Sequence, residues 1–398
     1  MQVRVFSSGR DRLSRRDFVA GGAIMLTSAG CLRTCPANEA AKVAETKTIS
    51  QEPDHYHGWP TLARRGNGQL VLVYSGGREG HVCPFGRVEM MVSNDEGRSW
   101  GFPQVLLDTA LDDRDSGVLE TARGSLLVTT FTSLAYEPLL ERALKPSSGE
   151  SWPPERLRRW QSARDRLTPE QRRSQLGEWM LRSTDGGITW SRRYSSIVNS
   201  PHGPVQLADG RLLYAGKELW SGEKRVGVCE SKDDGQTWSW LAAIPPRPGD
   251  RADAYHELHA SETGDGRIIV HIRNHNPTND REILQTESID GGRTWSLPHS
   301  IGVWGLPSHL LRLRDGRVLM SYGYRRSPFG VQARLSADSG RTWSGPLPIS
   351  ADGASGDLGY PSTVELGDGS LLTVWYERPA NSGLAVLRQA RWRIETQE

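Results

Sequence analysis

Cysteine is scarce in this sequence, with four residues among 398. That excludes a disulfide scaffold, which needs far denser cysteine. Long apolar runs are missing beyond the N-terminus, and hydrophobic residues make up only 36% of the chain. This excludes a polytopic helical membrane protein. Neither charge sign dominates, with 49 Lys and Arg against 47 Asp and Glu, so the electrostatic footprint of a nucleic-acid binder is absent. Phenylalanine and methionine are few, at six each, whereas tryptophan reaches 14 and glycine 43. A typical chain of this length holds ~28 glycines. The length allows two ordinary domains or one large all-β barrel or propeller. An excess of Gly and Trp points to the latter if it falls at fixed positions.

The N-terminus reads as an address. Arg15 and Arg16 precede a short apolar run from Phe18 to Ala29, too short for a permanent bilayer span. The pair resembles a twin-arginine export signal of bacteria. Ser28-Ala29-Gly30 then precedes Cys31, which resembles a lipoprotein cleavage box; ordinary cleavage after Gly30 is the alternative. Residues 1–30 are therefore expected to be an export signal and 31–50 a flexible linker. The product is expected to be periplasmic, secreted or lipid-anchored, with a lipid on Cys31 its one route to a membrane. The signal holds five Arg and two Asp, so its removal takes the net charge from +2 to +2 − 3 = −1.

Two interleaved repeats organise residues 51–395. The first is Ser-x-Asp-x-Gly-x-(Thr/Ser)-Trp, found at Ser93–Trp100, Ser183–Trp190, Ser231–Trp238, Ser288–Trp295 and Ser336–Trp343. The pattern suits a turn: Asp caps turn amides, Gly accepts positive φ, and Trp plugs between sheets. The second is an apolar hairpin whose turn glycines are Gly68, Gly124, Gly210, Gly266, Gly316 and Gly369. Their spacings are 56, 86, 56, 50 and 53 residues, and a period near ~50 predicts propeller blades. Six hairpins predict an all-β, six-bladed β-propeller. The last blade lacks the Asp turn and must draw outer strands from Leu384–Ile394, with the N-terminal segment as a further source. The long spacing places a small insertion in blade two, about 133–178, with a helical middle. Thr168-Pro169-Glu170-Gln171 within it fits a capping box with Pro at the first helical position.

In a blade, the Asp-Gly turn of the inner hairpin lies on one face, and the strand starts and return ends lie on the other. That second rim collects the polar residues. Strand starts contribute His57, Asp113, Asp115, His202, Glu257, His259, His309 and Tyr360; return ends contribute Arg78, Glu79, His81, Arg273, Asn274, Arg325, Arg326 and Glu377. Convergence of such residues from all blades predicts a central pocket, with the insertion as a wall or lid. His55 and His57 share a strand face, but the histidine spacing matches no strong zinc motif. No metal or cofactor is expected.

Five Asp boxes on a six-bladed pattern resemble the sialidase (neuraminidase) superfamily, over roughly residues 50–395. The resemblance implies a tyrosine nucleophile activated by a glutamate, an aspartate acid/base, and three arginines gripping a substrate carboxylate. Tyr360 opens the last blade as the nucleophile would, and Glu257 and Arg273 flank the blade-four hairpin as the base and one arginine would. Arg325 or Arg326 stands for another arginine, and Tyr376-Glu377 matches the Tyr-Glu ending of the last blade. Two positions depart. The Arg-Ile-Pro opening is Gly58-Trp59-Pro60, and the loop after blade one's second strand has no Asp, leaving Glu79 or His81 for proton transfer.

The resulting expectation is an exported exo-glycosidase acting as a monomer on an acidic or modified glycan. Tyr360, Glu257, Glu79 and His81 are the catalytic candidates and the other rim residues the substrate-binding ones. A uronate-directed lyase or other carbohydrate-active enzyme, and a non-catalytic glycan-binding propeller, remain alternatives.

Overall fold

In the computed structural model, residues 38–397 are described, apart from 146–148, 150 and 151. The export signal, the lipidation site and the first part of the linker lie outside the described residues. Six four-stranded antiparallel sheets form six blades. Their innermost strands are Tyr56–Arg64, Asp112–Glu120, Val205–Gln206, Tyr255–Glu262, Ser308–Arg312 and Leu358–Glu365. Each hairpin turn uses its glycine at positive φ, from 80° to 90°, a conformation that costs a residue with a Cβ. Among the described residues, no helix is long and apolar enough to cross a membrane.

The Asp boxes repeat one hydrogen-bond pattern. In the fifth, Asp338 Oδ1 accepts the Thr342 amide at 2.8 Å and the Ser336 hydroxyl at 2.8 Å. Asp338 Oδ2 accepts the Thr342 hydroxyl at 2.6 Å, and Ser336 Oγ accepts the Gly340 amide at 2.8 Å. The motif satisfies its own turn amides, which is why it is legible as a sequence string. Each box also carries its Trp into the seam with the preceding blade. Trp190 packs on Val71, Val73 and Val128 between blades one and two, and Trp295 packs on Leu213 and Ile268 between blades three and four.

The last blade closes the ring differently. Residues 38–48, expected as flexible linker, are instead a strand that pairs antiparallel with Val386–Gln397. The blade therefore takes its outermost strand from one end of the described chain and the next from the other. With no box of its own, the blade fills its seam with blade five by Trp392, fully buried with Leu319, Val331 and Trp375. Its indole N–H donates to Thr373 Oγ1 at 2.9 Å.

The insertion forms three helices, α1 (Glu137–Leu144), α2 (Pro154–Arg164) and α3 (Pro169–Ser174). The capping box at Thr168 and Gln171 is present. Tyr136, Leu140 and Trp160 bury against Cys83 of the blade-one loop. The helices therefore wall the rim over blade one.

Trp392→Ala should cost about 3–5 kcal/mol, because it empties the one seam without an Asp-box tryptophan. Urea unfolding checks this against Trp100→Ala, a partly exposed box residue that should cost less. Equal losses would show that Trp392 has no special part in closure.

Candidate active site

Four innermost strands break register close to their starts: between Gly58 and Thr61, Arg114 and Gly117, His256 and His259, and Gly359 and Ser362. Each break holds one non-glycine residue at positive φ: Trp59 at 54°, Asp115 at 48°, Glu257 at 44° and Tyr360 at 54°. A bulge inserts an unpaired residue and re-aims its side chain. Holding a Cβ-bearing residue in that region costs of order 1–3 kcal/mol, strain that collects at functional sites.

Three of these residues share one electrostatic cluster. Glu257 accepts the Tyr360 hydroxyl on Oε1 and Arg273 Nη1 on Oε2 at 2.5 Å. Arg273 Nη1 also lies 3.2 Å from the Tyr360 oxygen, and its Nε meets His275 at 2.7 Å. Burial alone would push the Glu257 carboxyl up, but the charge and hydrogen bond of Arg273 more than offset it and hold it below the usual range. Tyr360 moves the opposite way, pushed well up by burial and then by the Glu257 charge. The pair thus rests as phenol and carboxylate, with the proton on the atom that the carboxylate is placed to deprotonate. Asp115 acts electrostatically on both Tyr360 and Glu257. Burial, partly offset by Arg114, pushes it up to about 7, and its Oδ1 lacks a partner.

Trp59, itself buried, meets the Tyr360 ring edge-on with centres 6.3 Å apart. Arg114 lies 4.4 Å and Arg78 4.9 Å from the Trp59 ring centre, and His81 meets it edge-on at 5.0 Å. His81 is half exposed and lies 3.3 Å from Asp357, and the Tyr56 hydroxyl lies 2.9 Å from His81 Nδ1. Asp357 also accepts Tyr56 at 3.1 Å and Tyr376 at 3.2 Å. Burial would raise Asp357, but the His81 hydrogen bond and charge and the two phenols hold it below the usual range. Arg325 reaches the pocket along Gly359, donating Nε to the Leu358 carbonyl at 2.7 Å, with its guanidinium 5.9 Å from the Tyr360 ring centre.

The structure thus brings Tyr360, Glu257, Arg273, Arg325, Asp115 and His81 to one mouth. Other residues expected there do different work. Glu79 is held by the insertion, through Arg159 at 2.7 Å and the Trp160 indole at 3.0 Å. Arg78 is fully buried and paired with Asp112 at 2.5 Å. Arg326 stacks on Trp304 at 3.8 Å. Asp113 caps its own loop, accepting the Thr109 amide at 2.8 Å. Asn274 ties the following loop through the Thr278 and Asn279 carbonyls, both at 2.9 Å. Glu377 is tied within blade six by the Trp375 indole and Arg388, both at 2.8 Å. His57 is buried under the rim beside Tyr74.

His202, His259 and His309 stack about the axis, with ring centres 4.7–5.2 Å apart. They line a cavity of about 370 Å³ on the hairpin-turn side with Arg64, Glu120, Arg312 and Arg314. They are therefore axial packing between that cavity and the rim. Two rim residues were not singled out from sequence. Asp357 lies three residues before Tyr360, and Arg114 lies inside the acidic string at the start of blade two, with no motif marking either.

The BNR repeat-like domain family matches residues 151–373, more than half of the chain, and the protein belongs to that family. Its fold is a six-bladed BNR-repeat propeller. A sialidase of Micromonospora viridifaciens is 27% identical over 213 residues, covering 43% of this chain and 31% of that protein. A xyloglucanase of a Paenibacillus species is 26% identical over 209 residues, covering 46% and 19%. The chain thus spans a third or less of these curated relatives. Among solved structures, a Dyadobacter fermentans protein of unknown function superposes with a TM-score of 0.72 at 22% identity, covering 89% of this chain and 100% of that one. The intramolecular trans-sialidase of Ruminococcus gnavus gives 0.62 at 14% identity, covering 90% and 98%. These likenesses show the fold.

The axial histidines make a pH prediction. Burial takes His309 from 6.5 down to about 3 and holds His202 and His259 well below 6.5. Between those values the unfolded chain binds protons that the fold refuses, so stability falls as pH falls from about 6.5. Asp113 and Asp115, pushed up to about 7 mainly by burial, act oppositely and lose their contribution as pH rises toward 7. The histidine part is isolated by difference. His309→Asn should flatten the fall in unfolding free energy between pH 6.5 and 4 by up to about 1.4 kcal/mol per pH unit. Parallel urea curves for variant and wild type would refute this.

Proposed function

We propose that the protein is an exo-acting, retaining glycosidase with sialidase-type chemistry, acting on a terminal acidic sugar. The observation that carries this reading is the Tyr360–Glu257–Arg273 cluster. A phenol is a poor nucleophile near neutral pH unless a base takes its proton as it attacks, and Glu257 is already hydrogen-bonded to that hydroxyl. Tyr360 attacks the anomeric carbon while Glu257 takes the phenolic proton. His81, paired with Asp357, delivers a proton to the departing glycosidic oxygen. In the second half, His81 takes a proton from water as the water oxygen attacks the anomeric carbon. The tyrosyl oxygen leaves and recovers its proton from Glu257.

His81 is preferred to Glu79 for this role because Glu79 is occupied by Arg159 and Trp160. The guanidiniums of Arg273, Arg325 and Arg114 support recognition of an anionic group, although Glu257 and Asp357 stand against them and Asp115 is pushed up to about 7. Arg114, over Trp59, is positioned to supply the third guanidinium that Gly58 cannot. Export through the segment 1–30 belongs to the same proposal, and cell fractionation tests it.

Turnover should appear on an aryl sialoside or aryl uronide and be weak on neutral aryl glycosides. Tyr360→Phe should lower kcat at least about 10³-fold with the fold intact by circular dichroism. Activity near wild type would overturn the nucleophile assignment. His81→Asn should impair substrates with poor leaving groups by about 10²–10⁴-fold while sparing nitrophenyl leaving groups. Equal effects on both would remove His81 from the proton transfer.

A further inference from the structure

Away from the mouth, blade one holds a second concentration of polar atoms. Glu52 lies on the link that runs from the closing strand 38–48 to the first inner strand, His57 on that inner strand, and Glu89 on the strand Arg87–Ser93. His57 is 1% exposed and Glu89 is fully buried. Four of their atoms are buried without a hydrogen-bond partner: Glu52 Oε2, both ring nitrogens of His57, and Glu89 Oε2. One possible ligand atom from each residue lies within 4.8 Å of the other two, and His57 Nε2 is 3.9 Å from Glu52 Oε2.

Burying unpaired carboxylate and imidazole atoms against one another is costly unless something joins them. Arg87 does part of this. Its Nε donates to Glu89 Oε1 at 2.5 Å and its Nη2 to Glu52 Oε1 at 3.4 Å. Each carboxylate therefore gives one oxygen to Arg87, and Glu52 turns its other oxygen toward His57 while that of Glu89 is left unpaired. Burial pushes the Glu89 carboxyl up, and Arg87 and the Tyr74 phenol offset only part of it; the Tyr74 ring meets His57 edge-on at 5.4 Å. With both ring nitrogens unpaired and the ring 1% exposed, His57 has no other partner for the nitrogen that faces Glu52. The neighbouring backbone makes room. A Cβ on Gly76 would lie 2.1 Å from Glu89 Oε2, so only the bare glycine admits this carboxylate.

We propose that Glu52 Oε2, His57 and Glu89 Oε2 form a three-ligand site for a divalent transition-metal cation, with Arg87 and Tyr74 orienting the carboxylates from behind. Two oxygens and one imidazole nitrogen suit zinc or manganese, whereas calcium asks for six to eight oxygens. Metal–ligand distances of about 2.0–2.2 Å place ligand atoms roughly 3.3–3.5 Å apart, so the 3.9 Å between Glu52 Oε2 and His57 Nε2 has to close by about half an ångström. Glu52 can supply that movement, because it sits on a link and its side chain is 25% exposed. The cation would pin that link where the ring closes, between the Ile49 amide bonded to Leu387 at 2.8 Å and the His57 amide bonded to Ala385 at 2.9 Å. Its role is structural, and it stands or falls independently of the glycosidase reading.

The test uses the purified full chain, stripped with chelator, dialysed, and titrated with Zn²⁺ alone, Mn²⁺ alone or Ca²⁺ alone. The expected result is about one bound equivalent of Zn²⁺ or Mn²⁺ by elemental analysis and a raised thermal midpoint. Glu89→Gln and Glu52→Gln should each weaken binding at least about 100-fold and abolish the thermal shift. Should Glu89→Gln fail to fold, Glu52→Gln, at a partly exposed position, carries the comparison alone. No stoichiometric metal and no shift in wild type would overturn the proposal. So would equal binding in the variants, or an equal response to Ca²⁺.

Discussion

Everything in this molecule depends on closing a ring of six twisted sheets. A propeller has no edge to spare: the last blade must pair with strands drawn from both sides of the cut in the circle. Here the strand 38–48 lies along Val386–Gln397. The link that follows it hands the chain directly to Tyr56, whose hydroxyl touches His81 and Asp357. Closure and pocket are therefore mechanically adjacent, and loosening one would displace the other. The seams are graded to match. The Asp-box tryptophans serve the seams between the first five blades and that between blades one and six. Trp392, with Trp375 beside it, serves the seam between blades five and six.

Within the ring, the pocket is built by breaking the sheet rule at chosen places. A regular inner strand would send alternate side chains into the two neighbouring seams. The bulges at Trp59, Asp115, Glu257 and Tyr360 interrupt that alternation. Blades three and five lack such a bulge on their innermost strands and contribute His202 and His309 to the axis instead. The site is lopsided for that reason, with Asp115, Glu257 and Tyr360 on blades two, four and six.

The sequence made the scaffold readable because the repeats are locally self-sufficient. An Asp box caps its own amides, and an Asp-Gly hairpin needs only its own two strands. Tyr360, Glu257 and Arg273 were legible through a spacing pattern shared with a known superfamily. The neighbouring rim positions were not, because a strand start does not say which way its side chain faces once a bulge intervenes. His57 lies two residues before Trp59, yet it is buried under the rim. Glu377 follows Tyr376 directly, yet it faces Arg388 within blade six. Asp357 and Arg114 escaped notice because their roles arise only when loops from different blades meet. The strand 38–48 was legible only as a candidate for closure, because its polar composition, which a pairing edge tolerates, also reads as linker.

The stacked imidazoles carry a last consequence for traffic. His202, His259 and His309 pack against one another between the rim and the cavity of about 370 Å³ on the hairpin-turn side. On the proposed glycosidase reading, that packing would keep a glycan strand from being threaded through the ring. A chain end or a short branch would enter at the rim, and what is released would leave by the face it came in.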